Sequence, residues 1–185
     1  SSAASDVYKR QGRSKRKTAA GARSERGPDG LWNTGGRPET KRRATAARRE
    51  SGAMVSGIIL AGGSSTRYGT GENKTLVELL GRTVLEYSLR VFMAADVVDE
   101  VVLAAKAGEE AALRKLAEGL CLQKPVTVVT GGADRAASVE KALAEARGER
   151  VLIQDGARPL VTERMLEDCL AALEEADGAT IATPS

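Results

Sequence analysis

The stretch VSGIILAGGSSTRYGTGENK, residues 55–74, decides how the rest of this chain is interpreted. It opens with a short apolar run bounded by glycines, which predicts a buried β-strand over residues 55–60. A loop rich in glycine and serine follows, and it carries two cations, Arg67 and Lys74. A triphosphate needs main-chain N–H donors and fixed positive charge. The stretch therefore predicts a strand that leads into a phosphate-binding loop.

Four residues of this loop, Ala61, Gly62, Gly63 and Ser65, are candidate nucleotide-binding residues. The two glycines leave the backbone bare where N–H groups must approach an anion, and the serine adds a hydroxyl donor. The loop matches neither the Walker A pattern nor GxGxxG, so neither of those nucleotide sites is predicted. The alternative is a glycine-rich turn between a strand and a helix, with its arginine and lysine exposed.

Apolar periodicity after residue 55 alternates between strand and helix patterns. Strands are predicted at 55–60, 100–105, 126–130, 150–155 and from 179 onward, and helices at 83–94, 109–120, 137–148 and 162–178. This alternation predicts right-handed βαβ crossovers, so the fold class is α/β, a three-layer, doubly wound, mostly parallel sheet. Ligands of such sheets bind at the carboxyl ends of the strands. The loops after the first, third and fourth of these strands should therefore face one site.

The loop after the third predicted strand reads TGGADRAASV, residues 130–139. Gly131 and Gly132 again leave bare backbone at the end of a strand, and Ser138 falls in the first turn of the next helix. Such a turn suits polar contacts to a base or a ribose. The alternative is a tight turn followed by a helix cap.

The loop after the fourth predicted strand reads QDGARP, residues 154–159. Asp155 ends an otherwise apolar strand, and a carboxylate beside phosphates suits Mg²⁺, which takes one or two carboxylates together with phosphate oxygens. Arg158 is a candidate for holding a second phosphate. The alternative for Asp155 is a helix-capping role.

Residues 1–53 differ from the rest of the chain in composition. They hold 14 Lys and Arg against 5 Asp and Glu, a net charge of +9, while residues 54–185 carry −6. With little apolar periodicity, they are expected to form a disordered basic tail ahead of a domain at 54–185. The adapter-like opening SSAASDVYKRQ favours a non-native tail with the true start at Met54. A plastid transit peptide and a nucleic-acid-binding arm are the alternatives.

The composition of the chain excludes several kinds of chemistry. It has no histidine, which excludes a Ser-His-Asp triad, a Cys-His dyad and a histidine zinc site. Cys121 and Cys169 lie in apolar runs and are expected to be buried thiols of a cytoplasmic protein. Nothing resembles a membrane span or a signal peptide, and the acidic body does not predict nucleic-acid binding. The last predicted strand leaves an uncovered sheet edge, so further C-terminal sequence is expected.

Taken together, the three loops resemble the signatures of a known enzyme family. LAGGSSTR…K, GGADRAASV and QDGARPLV are similar to the patterns AAGxGxRMG…K, GGxxRxxSV and HDAARP of the 2-C-methyl-D-erythritol 4-phosphate cytidylyltransferases, enzymes of non-mevalonate isoprenoid biosynthesis. The similarity runs from Val55 to Ser185 in order and with similar spacing. It implies a Rossmann-like nucleotidyltransferase fold and transfer of a cytidylyl group from CTP to an alcohol phosphate, with release of pyrophosphate.

The resemblance also implies roles for individual residues. Arg67 and Lys74 would stabilise the charged transition state, and Asp155 would hold Mg²⁺. Arg158 would lie near the phosphate of methylerythritol phosphate. The cytidine pocket would be lined by Gly132, Ala133 and Ser138. The family's C-terminal third carries a dimerisation arm, so a full-length protein would be a homodimer.

At four positions the chain departs from the family patterns. Ser65 replaces a glycine, Gln154 a histidine and Gly156 an alanine, while Ala133 stands where an acidic residue is common. These departures leave two related activities open, a nucleotidyltransferase for another alcohol phosphate such as ribitol 5-phosphate and one for molybdopterin. A non-catalytic nucleotide-binding fragment is the alternative of a different class.

Overall fold

Strands and helices alternate along the chain. The structure is a computed structural model that describes residues 6–9, 52–62, 73–120 and 123–182, and for residues 6–9 it describes the backbone only. The strands are β1 (Asp6–Lys9), β2 (Val55–Leu60), β3 (Glu78–Leu79), β4 (Arg82–Thr83), β5 (Glu100–Ala105), β6 (Val126–Thr130), β7 (Arg150–Asp155) and β8 (Gly178–Thr180). The α-helices are α1 (Val84–Ala94), α2 (Glu110–Gly119), α3 (Arg135–Glu145) and α4 (Glu163–Ala172), and a 3-10 helix spans Lys74–Leu76. The expectations for Gly63, Ser65, Arg67 and Cys121 lie outside the described residues.

The main sheet has the strand order β6-β5-β2-β7-β1-β8. Strand β2 pairs in parallel with both β5 and β7, and β5 pairs in parallel with β6. The predicted α/β class and mostly parallel sheet are confirmed. From β2 the chain adds β5 and then β6 on one side, and it then crosses over to add β7 on the other side of β2. The strand order therefore reverses between β2 and β7. A crevice at the carboxyl ends of these two strands is therefore where a ligand is expected.

Two apolar clusters cover the two faces of the sheet. One face packs against α1, α2 and α4, whose buried residues include Leu89, Leu113 and Leu166. The opposite face packs against α3 through Ala142 and the strand residue Ile153. Helices on both faces of the sheet make the predicted three layers, with the expected aliphatic core.

A glycine in β2 allows α1 to pack close to the sheet. A Cβ atom built on Gly57 would overlap the ring of Phe92, the one phenylalanine of the chain, which is fully buried. Any side chain at position 57 would push α1 away from the sheet. The close contact fixes the helix against the strand that precedes the first loop.

The predicted bounds of two helices were wrong. Helix α3 begins at Arg135 because the Asp134 side chain accepts from the Ala137 N–H at 2.8 Å. It ends at Glu145, three residues before Gly148, because Glu100 and Ser56 bind the chain that follows. Helix α4 has the predicted N-cap, Thr162, but it ends at Ala172, since tightened i→i−3 hydrogen bonds close its last turn over residues 173–175.

Asp6–Lys9 form a strand where the sequence predicts a disordered tail, while the disordered, non-native tail stays a prediction for residues 1–53 as a whole. This strand, β1, lies between β7 and β8 and pairs antiparallel with both. The outer edge of β7 offers unpaired backbone groups, which bind an extended segment whatever its composition. The small β3–β4 hairpin was also not predicted; its turn, Leu80–Gly81, has positive φ at both residues.

Glu100 lies at the amino-terminal edge of the parallel strands, opposite the edge where a ligand is expected. Its buried carboxylate accepts hydrogen bonds from Ser56 Oγ at 2.7 Å and from Arg147 N at 2.7 Å, and Arg147 Nη2 lies 2.6 Å away. The Ser56 hydroxyl in turn accepts from the Gly148 N–H at 2.8 Å. Burial by itself raises the pKa of Glu100. The hydrogen bonds from Arg147 and Ser56 outweigh it, so the pKa lies below the ordinary value of 4.5.

The lowered pKa of Glu100 predicts an acid-sensitive contribution to stability. The ionised group stabilises the fold above its ordinary pKa, and this contribution is lost as the pH falls through the lowered value. We expect Glu100→Gln to reduce the free energy of unfolding at pH 7 by about 1–3 kcal/mol. Below pH 4 the difference in this free energy between the variant and the parent should become smaller. Urea unfolding across pH checks this, with Glu118→Gln on the exposed face of α2 as the control. A difference that does not change with pH would contradict it.

Candidate active site

Three loops begin with main-chain hydrogen bonds to the neighbouring strands at the carboxyl edge of the sheet. Ala61 N donates to Ala104 O at 2.8 Å, Gly131 N to Ala105 O at 2.8 Å and Gly156 N to Leu60 O at 2.9 Å. Each bond extends the pairing of neighbouring strands beyond the strand's end. The loops after β2, β6 and β7 therefore leave the sheet side by side, as predicted.

The glycines of these loops are required by packing as well as by any ligand. A Cβ on Gly62 would lie 2.9 Å from Lys106 N, and one on Gly131 would lie 2.9 Å from Ala105 O. A Cβ on Gly132 would overlap Ala137 at the start of α3. The alternative interpretation is a tight turn in which glycine avoids overlap with neighbouring protein atoms. It therefore accounts for part of the glycine pattern in these loops. The N–H groups of Gly131 and Gly132 donate to Ala105 O and to Ser138 Oγ, so at these two positions they serve the turn and are not offered to an anion.

Ser138 is buried and holds the loop after β6. Its hydroxyl donates to Asp134 O at 2.7 Å and accepts from Gly132 N at 3.0 Å. The serine therefore fixes the backbone of two predicted pocket residues, Gly132, which it binds, and Ala133, which lies between its partners Gly132 and Asp134. Its predicted contact with the cytidine remains a prediction.

Asp155 forms ion pairs with two arginines. Its Oδ2 accepts from Arg158 Nε at 3.0 Å, and its Oδ1 accepts from Arg135 Nε at 3.2 Å. Arg135 is the first residue of α3, so this contact joins the loop after β6 to the loop after β7. All three side chains are partly exposed. The arrangement presents two guanidinium groups, held by one carboxylate, at the crevice.

Arg135 was missed by the sequence analysis, although a signal for it was present. It follows the helix-capping Asp134 directly, and a cation in the first turn of a helix faces the positive end of the helix dipole. An arginine in that position needs a carboxylate partner. Asp155, at the end of a neighbouring strand, was the candidate.

Two buried side chains hold the turn that carries Asp155 and Arg158. Gln154 Nε2 donates to Arg158 O at 3.0 Å and to Asp155 O at 3.3 Å, while Ser88 Oγ of α1 donates to Arg158 O at 3.1 Å. Gln154 is 2% exposed and Ser88 is fully buried. The glutamine that replaces the usual histidine of the resembled pattern thus acts on the backbone of the turn.

Lys74 lies at the far end of the first loop, at the start of the 3-10 helix and partly buried. The preceding residue, Asn73, donates from its side chain to Ala61 O at 2.8 Å. Lys74 is thereby held close to the end of β2. Of the predicted first-loop residues, Ala61, Gly62 and Lys74 are placed at one edge.

A hollow of about 200 Å³ lies beside the turn after β7. Apart from Gln154 and Arg158 it is lined by apolar residues, Pro159, Leu160, Val161, Met165 and Ile181. An apolar lining offers no donors to phosphate oxygens. The loop edge at β2 and β7, rather than this hollow, suits a triphosphate.

At this edge of the sheet, Asp155 is the carboxylate that could serve as a protein ligand of Mg²⁺. Within the described ranges no three acidic, cysteine or histidine side chains come together as a metal site. Mg²⁺ needs no such protein cage when phosphate oxygens supply most of its ligands. Asp155 fits that lesser role, although a cation bound to it would replace one of its two guanidinium partners.

The described helices also bear on a possible membrane association. None of those helices is both long and apolar enough to span a bilayer.

The doubly wound sheet, with glycine loops and a guanidinium–carboxylate cluster at its switch point, defines an α/β domain of the nucleotidyltransferase class. The family model for 2-C-methyl-D-erythritol 4-phosphate cytidylyltransferase matches residues 55–185. The chain belongs to this family.

Individual relatives support the assignment. The 2-C-methyl-D-erythritol 4-phosphate cytidylyltransferase of Cereibacter sphaeroides is 44% identical over 133 residues, which cover 69% of this chain and 57% of that protein. The enzyme of the same name from Bacillus mycoides is 34% identical and is matched over 58% of its length. A solved structure, 4-diphosphocytidyl-2C-methyl-D-erythritol synthase from Anaerococcus prevotii, has a TM-score of 0.59 at 27% identity, covering 68% of this chain and 52% of that one. The chain thus spans somewhat more than half the length of these relatives.

The hydrogen bonds that Gln154 donates to the turn after β7 can be tested by substitution. We expect Gln154→Leu, similar in volume but without donors, to lower the free energy of unfolding by about 0.5–1.5 kcal/mol. The Arg158 and Asp155 carbonyls each lose one donor and keep another, Ser88 Oγ and Arg158 N. Gln154→His keeps a ring N–H and should lose less. Denaturant unfolding measures both, with the exposed Gln123→Leu as the matched control. Equal losses for leucine and histidine would contradict the assigned hydrogen bonds.

Proposed function

We propose that this chain is the nucleotide-binding part of an enzyme that transfers a cytidylyl group from CTP to 2-C-methyl-D-erythritol 4-phosphate. The observation that carries the proposal is the cluster of Asp155, Arg135 and Arg158 beside the glycine loops at the switch point. Membership of the cytidylyltransferase family supplies the substrate pair. Because the chain spans part of its relatives' length, the activity is attributed to the whole protein.

In the proposed reaction a phosphate oxygen of the alcohol phosphate attacks the α-phosphorus of CTP. A new P–O bond forms as the bond to the β-phosphate oxygen breaks, and pyrophosphate leaves with the electron pair. Negative charge grows on the phosphates in this transition state, so fixed donors and cations are the main protein contribution. No covalent nucleophile is needed, which agrees with the absence of histidine.

The residues at the edge divide this work. Lys74, with Arg67, would neutralise the charge on the triphosphate, while Gly62 offers bare backbone to it. Arg158 would bind the phosphate of the attacking substrate. The cytidine would lie against the loop after β6, along Gly132, Ala133 and Ser138, with Gly63, Ser65 and Ala61 on its phosphate side.

Mg²⁺ is proposed to enter with the triphosphate, with Asp155 as its protein ligand. The ion would neutralise phosphate charge. Asp155 otherwise balances the charge of the two guanidinium groups and lowers their mutual repulsion. The further proposals are a cytoplasmic enzyme that forms a homodimer in its full-length form and takes no nucleic acid as substrate.

Lys74→Ala tests the catalytic assignment. We expect the variant, within the full-length protein, to lose turnover by about two to three orders of magnitude, as for loss of one transition-state donor. CTP still binds, but more weakly, because one cation that faces its phosphates is gone. Radiolabelled CTP with methylerythritol phosphate measures turnover, and calorimetry measures CTP binding. Lys115→Ala on the exposed face of α2 is the matched control.

The same assay identifies the substrate. Product formed with ribitol 5-phosphate but not with methylerythritol phosphate would contradict the proposed acceptor and leave the reaction type intact. Unchanged turnover in Lys74→Ala would contradict the role of the lysine. Absence of CTP binding by the unaltered protein would contradict the proposed function as a whole.

A further inference from the structure

The Asn73 side chain is buried at the base of the first loop and uses all of its hydrogen-bonding capacity. It is 6% exposed. Its Nδ2 donates to Ala61 O at 2.8 Å and also to the Glu109 carboxylate. Its Oδ1 accepts from Thr75 N at 3.1 Å and from Thr75 Oγ1 at 2.8 Å. A carboxamide has two donors and two acceptor positions, so no other side chain of this size can replace it fully.

Thr75 adds a second tie to the same carbonyl. Its Oγ1 lies 3.1 Å from Ala61 O as well as 2.8 Å from Asn73 Oδ1, so its proton is shared between two acceptors. Thr75 is 4% exposed. Because Thr75 N can only donate, the orientation of the Asn73 carboxamide is also fixed.

Lys74 lies between these two inward-facing residues. Asn73 and Thr75 both bind Ala61 O, the carbonyl that follows the last residue of β2. The backbone of Lys74 is therefore held on both sides, while its own side chain is only partly buried. The Cα of this long, flexible lysine is therefore held at a defined place near the end of the central strand.

Glu109 extends the tie to a neighbouring loop. It immediately precedes α2, and its N–H donates to Lys106 O at 2.9 Å in the loop after β5. Its other carboxylate oxygen, Oε1, lies 3.9 Å from Lys106 Nζ. Asn73 therefore links the loops that follow two adjacent strands, β2 and β5.

We infer that Asn73 is the positioning residue of the phosphate site, which sets where Lys74 stands relative to the end of β2. The inference rests on the proposed function in one respect, the role of Lys74 toward phosphate. Asn73 touches no substrate in this scheme. Its effect should therefore appear in phosphate affinity and not in recognition of the base.

Asn73→Asp tests the inference with little change in size. The aspartate keeps the acceptor for Thr75 but loses both donors, and it places a second carboxylate against Glu109. The probes are inorganic tripolyphosphate, CTP and cytidine, titrated by calorimetry or NMR into the 185-residue chain. We expect the Kd of tripolyphosphate and of CTP to rise about tenfold or more, and that of cytidine to change less than about twofold.

Two further changes separate positioning from general damage. Adding Glu109→Gln to Asn73→Asp supplies an amide donor to the new carboxylate, so part of the tripolyphosphate affinity should return. Thr75→Val removes the hydroxyl at nearly constant shape and should weaken tripolyphosphate binding, whereas Thr75→Ser keeps the hydroxyl and should regain most of it. Thr127→Val on β6, where Thr127 is exposed, is the matched control.

The outcomes distinguish the inference from the proposed function. An equal loss of cytidine and tripolyphosphate binding in Asn73→Asp, or no loss of either, overturns the positioning role. If the unaltered chain binds neither CTP nor tripolyphosphate, the proposed function fails. Amide hydrogen exchange then decides the inference: faster exchange at Ala61 and Leu76 in the variant, with β7 unchanged, supports it, and unchanged exchange overturns it.

Discussion

Strand β2 is hydrogen-bonded in parallel to β5 on one side and to β7 on the other, and all six of its residues are buried. The register places Leu60 opposite both Ala104 and Asp155. A shift of one residue would place a side chain where Gly57 lies against the ring of Phe92, so this close contact fixes the register. The positions of Ala61, of Asp155 and of the loops after them all follow from this pairing.

Charge at the crevice is arranged as two arginines around one carboxylate. Asp155 lowers the mutual repulsion of Arg135 and Arg158, and it draws together side chains from two separate loops. Because all three groups are partly exposed, the ion pairs contribute little to stability. Their value lies in keeping cations oriented toward the crevice until an anionic ligand competes for them.

The parts of the fold that follow from local pattern were predictable. The strands 55–60, 100–105, 126–130 and 150–155 are confirmed residue for residue, because continuous apolar runs between turns have few other solutions. The end of α3 was not predictable, since it depends on tertiary partners, and the end of α4 was not, since its last turn closes with i→i−3 hydrogen bonds that no residue type signals. Ser56 and Glu100, distant in sequence, bind the chain that local propensity would have kept in the helix.

The site was predictable at the level of loops and less so at the level of contacts. Asp155 and Arg158 were identified from their place after an apolar strand, and they do meet. Arg135 could have been found from its place directly after the helix-capping Asp134. Asn73 could not, because a side chain that binds another loop leaves no periodic signal in its own, and its contacts are visible only once the loops lie beside each other.

The position of β1 has a consequence for the order of folding. Strand β8 is paired in the sheet through β1, which comes from the other end of the chain. Contacts between segments so far apart in sequence carry the largest loop-closure entropy and form late. The central strands β5, β2 and β7 lie closer together in sequence than β1 and β8 do, so they can pair beforehand. The rim formed by β1 and β8 is therefore expected to be the last part of the sheet to assemble and the first to open.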